Sequence, residues 1–420
     1  MSFWNDLWPG HRGIDWYSSK LKKRLFDAGK PDLAELCRMM MDSDGDFSSL
    51  IIAEQILASY AKLGQEGKLE FFKMLAEDYD LDPEVVIALA SDYAKNPDIH
   101  TFKALTEAAE PNRQELFRRC NLTSDGTRHL VRMREDLLGF LDAHPQLESL
   151  DIDFHHLFTS WFNRGFLVLQ PVNWTSPAHI LEKIIAYEAV HEIKSWDELR
   201  RRLDPVDRYC YALFHPVMED EPLVFVEVAL TSEMPGQIHE ILDQDRTPLL
   251  PKQATHAVFY SISNCHRGLS GVSFGNFLIK QVASSLKSSF PSLQSFATLS
   301  PAPGFRAWMA KQPDIPYSES GQSYNGSQKD LLEQAARYFL EAKLPNGKPL
   351  DSVARFHLRN GARLERLNVA ADCSPKAMEQ SLGLMANYVY DLGKVEENHE
   401  DYMKNHRVIC SAQIRKLLPS

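Results

Sequence analysis

No run of about eighteen apolar residues occurs in the 420-residue chain, so the sequence offers no helix suited to crossing a bilayer. Cysteine is sparse. Its six residues, Cys37, Cys120, Cys210, Cys265, Cys373 and Cys410, are far apart and form no CxxC pair. That spacing argues against a zinc ribbon or a disulfide framework and fits free thiols in a reducing compartment. Basic residues number 46 against 57 acidic ones, a net charge of -11, which argues against nucleic acid as the main partner. Only a local basic pocket for a small anion is compatible with that balance. The opening MSFWNDLWPGHRGIDW has neither a basic start nor an apolar core, and the closing KLLPS is not a peroxisomal tripeptide. A cytoplasmic protein with no membrane span is therefore expected.

What is present divides into two textures, and the length itself points to two or three domains. From about 17 to 150 the chain reads as successive helices. Asp82–Pro83 is a cap and first-turn pair in front of EVVIALASDYA, and LIIAEQILASYAKL and DLLGFLDA space their apolar residues by three and four. The short breaks GQEG, AEPN and SDG suit an antiparallel helical bundle, and no repeat of fixed period is visible. Beyond about 160, YCYALF and PLVFVEVAL read as a hairpin, THAVFYSIS as a third strand, FGNFLIKQVASSLKSSF as a helix and SFATLS as a fourth strand. Strand, helix, strand implies a parallel crossover. The expectation is an α+β chain: a helical domain over 1–160, then a mixed α/β domain over 161–420. Residues 312–330, rich in Pro, Ser, Gly and Gln, read as a mobile excursion.

Several stretches carry possible chemistry. DSDGDF (42–47) fails as a calcium loop, since its glycine is fourth and Ala53 stands where a closing glutamate is needed. GVSFG (271–275) matches the nucleophile elbow of serine hydrolases, but NCHRGLSG separates it from the preceding strand. Gly268, Gly271 and Gly275 opening into a helix suit a phosphate site better, with Lys280 and Arg267 adding charge; packing alone is the competing reading. In FATLSPAPGF (296–305), Ser300 precedes a proline where a strand gives way to a stiff loop, either as a catalytic hydroxyl or as an ordinary turn residue. DSVARFHLRNG places His357 in the last turn of a short helix that stops at Asn360–Gly361, although a hairpin turning there is an alternative. A helix C-terminus favours imidazolium, which predicts a raised pKa for His357 and a proton donor near neutrality.

Taken in order, YEAVHEIKSWDELRRRL, EPLVFVEVAL, FYSIS with GLSGVSFGNFLIK, LSPAPGF, FHLRNGARLERLN and GLMANYVY resemble the malonyl-CoA decarboxylase family over most of 160–392. The resemblance implies a helical domain followed by a catalytic domain of GNAT-acetyltransferase type. In that fold coenzyme A binds where two parallel strands splay, its pyrophosphate at the start of the following helix. By position the family's catalytic residues fall on Ser300 and His357, and its tyrosine near the reacting centre on Tyr390. The acyl-CoA loop falls on Ser270, Gly271, Val272, Ser273, Phe274, Gly275 and Asn276, with Lys280 nearby. Ser273 stands where animal members carry a glutamate, so no carboxylate is available there. The implied reaction turns malonyl-CoA into acetyl-CoA and CO2 with no cofactor beyond the substrate's own coenzyme A. Ser300 would bind the malonyl carboxylate, His357 would protonate carbon, and Tyr390 would orient one of them. Homodimers pairing into homotetramers are implied as well. The rivals are an acyltransferase using the same coenzyme A site, a hydrolase using Ser273, and a non-catalytic scaffold.

Overall fold

The computed structural model describes residues 31–43, 45–272, 274–312 and 326–418, with the side chains of Asp46 and Asn276 outside the description. The excursion expected at 312–330 lies largely outside those residues, as does Ser273. Two compact units result: one of residues up to Asn163 together with His266–Val272, the other of Arg164–Cys265 with Ser273 onward.

The described part of the first unit is helical: α1 (Leu33–Met41), α2 (Asp46–Tyr60), α3 (Gln65–Asp78), α4 (Pro83–Lys95), α5 (Ile99–Ala108), α6 (Asn112–Asn121), α7 (Gly126–Leu138) and α8 (Glu148–Trp161). As the sequence suggests, α4 starts on Asp82, whose carboxylate accepts the N–H groups of Glu84 and Val85, with Pro83 in the first turn. Two expectations need correction. DLLGFLDA is not one helix, because α7 stops at Leu138 with Gly139 as its cap, and glycine is a weak helix former. GQEG is not a break, because α3 already begins at Gln65.

Where the helices pack, a buried charge pair joins two of them. Arg113 Nε of α6 donates to Asp153 Oδ2 of α8 at 2.5 Å, and Gln114 adds a bond of 2.6 Å. Arg113 also pairs with the part-exposed Asp80 at 3.0 Å, so Asp153→Ala leaves the buried guanidinium only that outlying partner and is expected to destabilise the fold by about 3 kcal/mol, read from urea unfolding. A loss within experimental error would refute that.

The second unit is built on an eight-stranded sheet among its described residues: β1 (Val168–Val172), β2 (Arg208–Phe214), β3 (Val224–Thr231), β4 (His256–Asn264), β5 (Ser295–Thr298), β6 (Ser300–Pro301), β7 (Arg363–Asn368) and β8 (Met385–Tyr390). β1 to β4 are antiparallel neighbours, β4 and β5 are parallel, and β8 runs antiparallel to β5, β6 and β7. The expected hairpin is β2–β3. The expected crossover is β4, helix α9 (Gly275–Ser289), β5. The α+β class holds. β3 is buried on both faces along nearly its whole length, which explains why PLVFVEVAL reads as a continuous apolar run.

Two irregularities prepare the site. Val228 lies opposite Phe259 and Glu227 opposite Ser261, so Tyr260 is an extra residue in β4, a bulge that bends the strand. Parallel pairing with β5 ends at Phe259–Thr298, where Leu299 N–H donates to Phe259 O at 3.2 Å. Beyond that point β4 continues to Asn264, while Ser300 and Pro301 turn to pair with Ala386 and Met385 of β8. The two strands splay.

Candidate active site

A cavity of about 220 Å³ occupies the splay. One wall is Tyr260, Ile262 and Asn264 of β4, and the opposite one is Ser300 and Pro301. Helix α10 (Ser352–Arg359) closes the third side with Val353, Phe356 and His357, which lie on one face through their spacing of three and four. None of the described residues lining this cavity carries a formal charge when His357 is neutral.

The helix reading of DSVARFHLRNG holds and the hairpin does not. Asp351 caps α10 by accepting Ala354 N–H at 2.7 Å, and its carboxylate also accepts Tyr338 O–H at 2.9 Å. At the other end Gly361, with φ +83°, reverses the chain directly beneath Val395 O, where a Cβ would sit at 2.1 Å. His357 is thereby held in the last turn, and β7 can begin at Arg363.

Ser300, His357 and Tyr390 meet in one array. His357 Nε2 lies 3.0 Å from Ser300 Oγ, and Nδ1 lies 2.8 Å from Tyr390 Oη. Ser300 Oγ donates to Thr298 Oγ1 at 2.9 Å, leaving a lone pair for Nε2–H. The network therefore assigns a neutral ring protonated at Nε2, with Tyr390 O–H donating to Nδ1. The imidazole stacks on Tyr388 with ring centres 4.5 Å apart, which fixes its plane.

The expected cationic His357 is overturned. Its side chain is fully enclosed, and burial lowers its pKa from 6.5 to about 3. The helix C-terminus favours the cation by a fraction of what desolvation removes, so the neutral form wins. Burial likewise pushes the Tyr390 phenol well above its ordinary value. In the unfolded chain His357 takes up a proton below about 6.5, whereas in the fold it stays neutral down to about 3. Stability from this residue is thus complete above pH 6.5 and lost as pH falls towards 3. His191, lowered to about 4 by burial, acts in the same direction. Acid unfolding should accordingly move to lower pH in His357→Gln; an unchanged midpoint would contradict a neutral buried imidazole.

Residues Ser270, Gly271 and Val272 belong to the helical unit, where Arg134 Nη1 holds the carbonyls of Gly268 and Ser270 at 2.9 and 2.8 Å. The N–H groups of Ser270 and Val272 are used within the turn, on Arg267 O and Leu269 O. Phe274 and Gly275 begin α9, and a Cβ on Gly275 would lie 2.2 Å from the Phe356 ring, so packing already requires this glycine. Lys280 is ion-paired with Glu396. The hydrolase elbow lacks its strand: β4 ends at Asn264, and a 3-10 turn, Arg267–Leu269, intervenes.

Thr298 and Val190 also shape the site and are not singled out by the sequence, and Tyr388, whose spacing in GLMANYVYDL reads as core, stacks on the His357 ring. Period-two alternation from Ser300 would have found Thr298, whereas Val190 arrives from a loop distant in the chain.

Two sequence profiles match: "Malonyl-CoA decarboxylase N-terminal domain" over 79–162, and "Malonyl-CoA decarboxylase C-terminal domain" over 165–324 and 314–420. The chain is similar to the mitochondrial malonyl-CoA decarboxylase of Rattus norvegicus, 33% identical over 358 residues, covering 75% of this chain and 72% of that protein. Among solved structures it is similar to the malonyl-CoA decarboxylase of Rhodopseudomonas palustris, with TM-score 0.85 and 47% identity over 91% of this chain and 98% of that one. The malonyl-CoA decarboxylase from Agrobacterium vitis gives TM-score 0.86 and 46% identity, covering 93% of this chain and all 100% of the other.

Proposed function

The chain belongs to the malonyl-CoA decarboxylase family, and on that premise we propose that it converts malonyl-CoA to acetyl-CoA and CO2 at the Ser300–His357–Tyr390 array. The observation that carries the assignment of the site is the 3.0 Å contact between Ser300 and a neutral His357 inside an uncharged cavity. Among the described lining residues no cation faces a carboxylate held there, which favours its departure as neutral CO2. On binding, the Ser300 hydroxyl turns from Thr298 Oγ1 to the carboxylate and orients it by one donated hydrogen bond. As the C–C bond breaks, its electron pair moves into the thioester carbonyl, so the substrate is its own electron sink and no cofactor takes part. Main-chain N–H groups near the splayed strands would stabilise the enolate oxygen, an interaction commonly worth about 3–4 kcal/mol per donor.

The enolate carbon then takes the Nε2 proton of His357, while Tyr390 O–H passes its proton to Nδ1. A thioester enolate is a far stronger base than a phenolate, so transfer is downhill even from a neutral ring and a buried phenol. Nδ1 then returns its proton to the Tyr390 phenolate as solvent in the cavity re-protonates Nε2, which restores the starting tautomer before the next turnover. The start of α9 at Gly275 would take the coenzyme A pyrophosphate, with Lys280 further along the same helix.

No described helix is long and apolar enough to cross a membrane. We place the enzyme in the cytoplasm, in fatty acid metabolism, as a homodimer or homotetramer, to be tested by sedimentation. Carboxyl-labelled malonyl-CoA should release labelled CO2 without any added acceptor. A requirement for an acceptor amine would instead indicate an acyltransferase, and free malonate a hydrolase.

A further inference from the structure

The parallel ladder beside the cavity stops at Phe259–Thr298, so among the described residues β4 from Tyr260 to Asn264 has strand pairing only with β3. Yet this stretch forms a wall of the reacting space. Its alternate residues, Ser261 and Ser263, are buried, and both hydroxyls donate to one carboxylate, that of Glu188. Ser261 Oγ is 2.8 Å from Oε1 and 2.7 Å from Oε2, and Ser263 Oγ is 3.2 Å from Oε2. The same carboxylate accepts the N–H groups of Val190 and His191 at 2.9 and 2.7 Å. Ala189 N–H donates to Ser263 Oγ at 3.2 Å, closing the link. Val190 itself lines the cavity. One carboxylate thus gathers four donors from two segments far apart in sequence, and both segments face the substrate space.

We propose that Glu188 is a positioning residue: it fixes the unpaired half of β4 and the Val190 loop as one rigid wall. This rests on the decarboxylase reading for what the wall positions. Charge-assisted bonds to a buried carboxylate are stronger than neutral ones, and they take over here the support that β5 gives up. A wall out of place by an ångström shifts Tyr260, Ile262 and Asn264, and the substrate held against them, relative to Ser300 and His357, and such misplacement is costly in rate.

Glu188→Gln tests the clamp, because an amide that keeps its oxygen for the N–H groups of Val190 and His191 loses the charge and presents N–H groups to the hydroxyls of Ser261 and Ser263. Hydrogen exchange of peptides covering 188–192 and 260–264 should quicken by about tenfold, with the rest of the chain unchanged. In the same preparation kcat for CO2 release should fall about 10- to 100-fold with KM for malonyl-CoA unaltered. Should this variant fail to fold, Ser261→Ala with Ser263→Ala carries the same readouts while keeping the carboxylate. Unchanged exchange in the two segments overturns the clamp. Faster exchange with wild-type kcat, or a raised KM with kcat intact, overturns the positioning role. If the wild-type protein releases no CO2, the decarboxylase reading fails, and exchange still decides the clamp by itself.

Discussion

His357→Gln lowers kcat for CO2 release by about 10²–10⁴, the usual contribution of a positioned general acid, with little change in KM. Glutamine can hydrogen-bond Ser300, but it cannot accept a proton at one end while releasing another at the other. Tyr390→Phe should fall between wild type and His357→Gln: it removes the proton behind Nδ1 while leaving the Nε2 proton beside Ser300. The pH dependence separates this relay from an imidazolium acid. A cationic His357 near its ordinary 6.5 would lose activity as pH rises through neutrality, whereas a ring lowered to about 3 has no such limb. A His357→Gln variant within a few-fold of wild type would remove His357 from the mechanism. A descending limb near pH 6.5 that vanishes in this variant would restore the cation.

Ser300→Ala is the second large effect, with kcat expected to fall about 10²–10³-fold, as when one donor to a developing charge is deleted. KM should rise as well, because the hydroxyl also contacts the carboxylate before reaction. The substitution leaves Nε2–H of His357 and the Thr298 hydroxyl without their partner in a buried site, so a loss of about 1–3 kcal/mol in stability accompanies it. Measuring the folded fraction at the assay temperature separates the two consequences. Full activity in Ser300→Ala, with loss in Ser273→Ala, would move the chemistry to the GVSFG serine and refute the present site.

Much of this was legible in the chain. The strands β2, β3, β4 and β5 and helix α9 announce themselves by β-branched and aromatic runs or by helical spacing, and Asp82 and Asp351 mark helix starts by chemistry that acts within four residues. β7 was not legible: RLERLN alternates charge with leucine, and its strand character comes from pairing with β8. β6 is two residues long and exists only because Ser300 and Pro301 meet Ala386 and Met385. The residues of the array were reached through family resemblance, since one serine and one histidine among many carry no local mark. The protonation state of His357 was misjudged from sequence for a related reason. A helix end is visible in a string of letters, and the enclosure of a ring by distant segments is not.

By itself, then, the sequence determined the α+β character, the strand–helix–strand crossover, the caps that place His357 in a last turn, and the stiff Pro-containing turn after Ser300. These depend on interactions between near neighbours in the chain. Only the tertiary structure decided that β4 bulges at Tyr260 and parts from β5, that Ser300, His357 and Tyr390 share hydrogen bonds, and that the imidazole between them is neutral. Each of these depends on which remote groups displace water from a side chain, and desolvation is a property of the packed fold.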